Sequence, residues 1–307
     1  MERNHSIDVS KGFLILFVIL GHAVQGVLED HLLRYFIYSF HMGLFFFVSG
    51  YLINPTKIGN RTFVELMKHY GKRMMGWWLL AWFVFTPLRL YDDLSLQSIV
   101  DSIINPYYHL WYVPTLFFFI LITYAMQKLT GSATRVCITL VAIGVITYIS
   151  GFFLKVHWPG LFKLPFMLYF SLGMYCGNFK PKLLIKLNGG GTWIWLLYIV
   201  CVTVSFYLIH NTTLSYLNSA IKLVSIMMLI FCWLLPNISL DGFRRSDILE
   251  YIGRNSLHVY LWHALPIVLL RFFLYTRGYE LPYYIGCLLL FIIFILLIKY
   301  RLKRQKI

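Results

Sequence analysis

Acidic residues are scarce in this chain. Of its 307 residues, 12 are aspartate or glutamate, against 27 lysines and arginines, for a net charge of +15. Only 13% of the chain is charged and 59% is hydrophobic, whereas a soluble domain carries about a quarter charged residues. That composition excludes an ordinary soluble domain. The basic excess does not mark a nucleic-acid binder, because the lysines and arginines lie between apolar runs rather than on one soluble patch. The five cysteines, Cys137, Cys176, Cys201, Cys232 and Cys287, are far apart and form no CxxC. They read as small packing residues, so neither a disulfide framework nor a zinc site follows, and no metal is expected. Gly189, Gly190 and Gly191 are not followed by Gly-Lys-Ser/Thr, which makes them a flexible linker rather than a phosphate loop. There is no period of 20 to 50 residues and no obvious inverted halves. No small-x-small cleavage site follows the first apolar run, so that run is read as a retained span rather than a signal peptide.

Long apolar runs are what the chain has in place of these features. Ten read as spans: 13–28, 36–53, 74–90, 108–126, 136–154, 162–178, 193–209, 218–235, 256–274 and 282–298. With the N-terminus in the cytoplasm, 20 of the 27 basic residues fall on the inner side, among them Arg3, Lys11, Lys68, Lys72, Arg73, Lys182, Lys186, Arg245, Arg254 and Lys306. Arg34, Arg89, Lys155, Lys163, Arg271 and Arg277 fall outside, and Lys222 alone lies within a span. The outer loop after the third span carries Asp92, Asp93 and Asp101. An even span count with cytoplasmic termini satisfies the positive-inside bias. The expected fold is therefore an all-α polytopic membrane helix bundle of about ten transmembrane helices, with residues 1–307 forming one integral-membrane domain.

Polar residues within such spans are expensive and mark candidate sites. Lys11 and His22 are eleven residues apart, about three helical turns, so they project from nearly one face, with Asp8 a turn earlier. The rise between them is about 16 Å, which puts His22 near mid-bilayer if Lys11 is at a surface. His22 either bonds a neighbouring helix or moves a proton. His41 opens the second span, and Ser49 and Gly50 are small enough for another helix to approach closely. His109 and Trp111 begin the fourth span, where a Trp usually belongs to the interfacial aromatic belt. His258 and His263 lie on different helical faces, so at most one faces a shared cavity. Pro266 follows and is expected to kink that helix. Lys72 and Arg73, at the inner mouth of the third span, either set topology or bind an anion.

Together these residues resemble the acyltransferase 3 family of integral-membrane O-acyltransferases, in its fucose 4-O-acetylase-like branch. The likeness rests on Lys11 and His22 in the first span, on His41 through Gly50 in the second, and on the HLWYVP and SLHVYLWHALP segments. Lysine at position 11 departs from the commoner arginine; it keeps the charge and loses the planar fork. The resemblance implies transfer of an acetyl group from acetyl-CoA, acting as co-substrate, to a hydroxyl of a carbohydrate. The implied acceptors are a lipid-linked sugar, O-antigen, exopolysaccharide or other envelope glycan, in a bacterial cytoplasmic membrane. His22 is the expected general base or a transiently acetylated relay, with Asp8 orienting Lys11. Lys11 and Arg73 are expected to contact the donor; His41, Ser49, His109, Trp111 and His263 are expected to contact the acceptor. The chain has no stretch after the tenth span resembling the esterase-like domain of larger relatives, so the acceptor is expected to be handled within the membrane domain. A proton-coupled transporter or flippase for a lipid-linked sugar, or a non-enzymatic scaffold, are the competing readings.

Overall fold

A computed structural model describes residues 4–90, 95–107, 109–153, 160–180, 191–209 and 215–305. Arg3, Asp92, Asp93, Lys155, Lys182, Lys186, Gly189, Gly190 and Lys306 lie outside those residues. Every regular element among the described residues is helical. In chain order they are α1 (His5–Ala23), α2 (Leu32–Tyr51), α3 (Pro55–Gly59), α4 (Phe63–Leu66), α5 (Gly76–Arg89), α6 (Leu96–Ile104), α7 (Tyr112–Thr130), α8 (Ala133–Phe153), α9 (Met167–Phe179), α10 (Gly191–Leu208), α11 (Ser215–Leu229), α12 (Leu235–Ser239), α13 (Asp247–Arg254), α14 (Ser256–Trp262), α15 (Ala264–Phe273) and α16 (Glu280–Gln305). Wider π-helical turns, Met67–Met75 and Ile230–Leu234, join α4 to α5 and α11 to α12.

Eight helical stretches are long and apolar enough to cross a bilayer, and the protein is an integral membrane protein. They correspond to eight of the ten spans read from the sequence. The other two, 74–90 and 162–178, are also helical but shorter, at 14 residues in α5 and 13 in α9. The α5 segment continues a helical run that starts at Phe63, so the chain is helical well before the apolar stretch begins.

The first helix departs most from its expected bounds, beginning at His5 and ending at Ala23 rather than spanning 13–28. Side chains account for both ends. The Asn4 side chain accepts the Ile7 N–H at 3.1 Å and donates to the Ile238 carbonyl at 2.9 Å. Asp241 accepts the Ser6 N–H at 3.0 Å, placing a carboxylate at the positive end of the helix. At the other end Gln25 Nε2 donates to the His22 carbonyl at 3.0 Å, satisfying a terminal acceptor. Gly26 then turns the chain at φ +107°, a conformation that excludes other residue types, and the His31 ring packs where a side chain would stand.

The chain divides into two compact units: residues 1–41 with 236–307, and residues 42–235. In the first, α1 and α13 lie antiparallel at backbone contact. Gly12 faces the Leu249 carbonyl and Gly253 faces the Asp8 carbonyl, leaving no room for a Cβ at either glycine. In the second unit the same device joins the end of α2 to α9: Gly50 lies against Phe170, Gly173 against Phe47 and Gly177 against Tyr51. The close approach expected at Gly50 is therefore present. Between α10 and α11, Ser205 donates to the Asn218 side-chain oxygen, a buried polar link of the kind that joins membrane helices. All five cysteines are unpaired.

Candidate active site

In the first unit, Asp8, Lys11 and His22 share α1, as their spacing requires. Asp8 is buried, and its carboxylate meets two cations: Lys11 Nζ at 4.0 Å and Arg254 Nε at 3.7 Å. Arg254 also donates to Glu250 at 3.0 Å, and Arg245 lies 3.6 Å from the same carboxylate. Two buried acids are thus matched by three basic side chains at the start of α1. Asp8→Ala is expected to lower stability by about 2 kcal/mol in thermal unfolding of detergent-solubilised protein. A fully buried broken pair costs about 3–5 kcal/mol, and the half-exposed Arg254 reduces that figure. An unchanged midpoint would mean that water already solvates both cations.

His22 occupies the last turn of α1, one residue before the helix ends. Its ring centroid lies 5.2 Å from that of His263 and 6.3 Å from that of Tyr38. His263 interrupts the helix between α14 and α15, three residues before Pro266. A proline at 266 has no N–H for the Trp262 carbonyl, so the expected disturbance of the helix falls at the histidine. His263 Nδ1 lies 2.7 Å from the Tyr260 carbonyl and 3.2 Å from that of Val259. A carbonyl only accepts, so Nδ1 carries the proton and Nε2 presents a lone pair. His41 is fixed the same way, with Nδ1 2.6 Å from the Ile37 carbonyl, and its ring stands 5.1 Å from Tyr38. Tyr38 is therefore in ring contact with both His22 and His41. His258 is exposed, in keeping with the expectation that only one of that pair faces inward.

The remaining candidates belong to the second unit. The Ser49 hydroxyl bonds the Tyr112 hydroxyl at 2.7 Å. Trp111 stacks on Phe46 with centroids 6.0 Å apart and lies 5.2 Å from Phe166. It is thus part of an aromatic core around Phe46 rather than a lone belt residue. His109 is buried, 2% exposed, with its ring 5.4 Å from that of Phe85. Trp78 donates to the neighbouring Leu110 carbonyl at 2.8 Å and holds that turn against α5. Arg73 is exposed on the π-helical turn, beside Lys68, His69 and Lys72. Burial, then Arg61 and Arg73, push the His69 pKa below its ordinary value.

Arg254, Glu250, Tyr38, Gln25 and Tyr112 were not singled out by the sequence reading. The only local signal for the first two was an acid and a base four residues apart beside Gly253.

A half-buried histidine pair lies in helices apolar enough to cross a bilayer, with one histidine on the same helix as a paired cation, and these residues form the candidate site of an integral-membrane protein. A sequence profile described as an acyltransferase domain matches residues 4–300, and the chain belongs to that family. It is similar to nodulation protein NolL of Mesorhizobium japonicum, 31% identical over 125 residues that cover 36% of this chain and 33% of the relative. Nodulation protein NolL of Sinorhizobium fredii is 44% identical over 62 residues, covering 18% and 17% respectively. The matched region is thus a third or less of the length of these curated relatives. No solved structure is detectably similar to the chain.

Proposed function

We propose that the protein is an O-acetyltransferase that moves an acetyl group from cytoplasmic acetyl-CoA to a hydroxyl of a cell-envelope carbohydrate. The setting is a bacterial inner membrane, with both chain termini cytoplasmic. The observation that carries this reading is His22 beside His263 at one end of α1, with the Asp8–Lys11–Arg254 network at the other. Membership of the acyltransferase domain family supports the group transferred, and the rhizobial relatives support a bacterial source.

In the proposed step the acceptor hydroxyl gives its proton to His22 as its oxygen attacks the thioester carbonyl. The tetrahedral intermediate collapses with cleavage of the C–S bond, and the departing thiolate takes the proton from His22. The products are the acetyl ester and free CoA. His263, its tautomer set by two backbone carbonyls, offers Nε2 to orient the neighbouring ring. Lys11 and Arg73 are assigned to donor phosphates. His41, Ser49, His109 and Trp111 are assigned to the acceptor side.

The experiment uses purified protein in liposomes, with acetyl-labelled CoA inside and envelope glycan outside. Label in the glycan supports the reading. No label from folded protein across several glycan extracts would favour the transporter reading instead.

A pH dependence follows from His69. Its pKa is lowered by burial and by the Arg61 and Arg73 charges, so it is mostly neutral near pH 7 in the unliganded protein. Donor phosphates placed on Arg61, Lys68, Lys72 and Arg73 would offset those charges and let His69 bind a proton. Binding that takes up a proton tightens as pH falls. The KM for acetyl-CoA is expected to drop about twofold between pH 8 and 6.5, relative to His69→Gln. The variant comparison cancels the titration of the ligand's own phosphate. Parallel profiles would remove the π-helical turn from the donor site.

A further inference from the structure

The steps above leave the basic residues of α16 without a role. Within the first unit α13 packs on α16, and a cleft of about 670 Å³ opens between them. Arg245, Ser246 and Asp247 line it at the start of α13, and Lys299, Leu302 and Lys303 line it at the end of α16. The Ser246 hydroxyl accepts the Leu249 N–H at 3.4 Å and starts α13, which leaves Arg245 just outside the helix. Asp247 falls in the first turn, where a carboxylate suits the positive end of a helix. Three cations thus stand against one carboxylate in this lining. Lys299 and Lys303 are four residues apart on one helix, a like-charge spacing that destabilises it. An anion between the two ammonium groups removes that cost.

An apolar face leads into the cleft. The stretch Glu280–Arg304 is apolar enough to cross a bilayer, and little of it is buried within the protein, so most of its surface meets lipid. Leu288, Ile292 and Leu296 are exposed, and their spacing puts them on the face that carries Lys299 and Lys303. A hydrocarbon tail lying along that face ends at the two ammonium groups. Lysine stems run along apolar surface while their heads stay in the polar layer, which suits this boundary. Arg301 and Arg304 leave the same span but lie outside the lining of the cleft, and the Arg304 guanidinium sits 4.9 Å over the Tyr300 ring. Basic residues beside a span set topology without forming a site. The contrast between these two arginines and the two lysines therefore separates a site from a topological signal.

We infer that the cleft between α13 and α16 binds the head group of an anionic phospholipid. The phosphate pairs with Arg245, Lys299 and Lys303, and a tail follows Leu296, Ile292 and Leu288. A soluble nucleotide offers the same phosphate chemistry but no hydrocarbon for the α16 face. The site borders the network at the start of α1. Arg245 also lies 3.6 Å from the buried Glu250 carboxylate, which accepts from Arg254, the partner of Asp8. A lipid held by Arg245 is thus tied to the side chains that pair with Asp8. None of these contacts rests on the acyl-transfer reading.

Native mass spectrometry of the detergent-solubilised full chain tests this without acyl transfer. The wild type is expected to retain phosphatidylglycerol in preference to phosphatidylcholine with the same tails. Joint replacement Lys299→Gln and Lys303→Gln is expected to lower phosphatidylglycerol retention about tenfold and to leave phosphatidylcholine unchanged. Arg245→Gln should act in the same direction, and it serves if the double variant does not fold. Joint replacement Arg301→Gln and Arg304→Gln removes equal charge at the same depth and is expected to retain the lipid as the wild type does. Equal losses in the lysine and arginine double variants would reduce the effect to diffuse surface charge and overturn the site. Equal retention of the two phospholipids by the wild type would do the same. Displacement of bound phosphatidylglycerol by CoA would assign the cleft to a soluble nucleotide and overturn the lipid.

Discussion

His22→Ala is expected to lower acetyl transfer by about 10³-fold while the protein still folds. Removing a general base usually costs about 10²- to 10⁴-fold. The side chain is half-buried in the last turn of α1, and the cap that ends the helix uses the His22 carbonyl rather than its ring, so alanine leaves the cap intact. The comparison that gives this result meaning is His263→Gln. If His263 acts by orienting His22, the loss is nearer tenfold, falls on kcat rather than on the donor KM, and shifts the pH profile of kcat. Glutamine at 22 keeps some polarity but exchanges no proton, so His22→Gln should track His22→Ala. Acetyl transfer in His22→Ala at the wild-type rate would reject both the general base and the acetyl-histidine relay. Trapping the reaction before acceptor is added separates those two, because only the relay leaves an acetyl group on His22.

Much of this site was legible in the sequence, and the reason is periodicity. Asp8, Lys11 and His22 fall on one stripe whatever surrounds them, because helical spacing fixes it. Gly50 could be read as a contact point because a glycine inside a membrane span has few other uses. Arg254 could not be read. It reaches Asp8 only because α1 and α13 touch through Gly12 and Gly253, and that contact joins distant parts of the chain. The pairing of His22 with His263 was hidden for the same reason, although each histidine was conspicuous alone. The bounds of α1 were misplaced because its caps come from side chains rather than from hydropathy. Asn4 and Asp241 extend its start, and Gln25 and Gly26 end it early. The expected depth of His22 assumed that the helix continued past it, whereas the helix ends at Ala23.

Gly253→Ala is the second large effect expected, and it acts on the fold rather than the chemistry. A Cβ at 253 would overlap the Asp8 carbonyl, and both Asp8 and Leu249 present backbone rather than flexible side chain to the opposing helix. Neither can swing aside, so α1 and α13 have to separate. Overpacking a tight contact ordinarily costs about 1–3 kcal/mol and sometimes more. Here the separation also pulls Arg254 from Asp8 and leaves a buried carboxylate with fewer cations. The combined loss is expected to exceed that of Asp8→Ala, seen as a sharp fall in folded yield and in the unfolding midpoint. Gly12→Ala, at the other end of the same contact, should do the same. Gly76→Ala is the control, since a Cβ there meets nothing within 4 Å and the residue is helical; it should be neutral or slightly stabilising. If Gly253→Ala folded as well as Gly76→Ala, α1 and α13 would not be in backbone contact. The route by which Arg254 reaches Asp8 would then have to be abandoned, along with the account of what holds Lys11 in place.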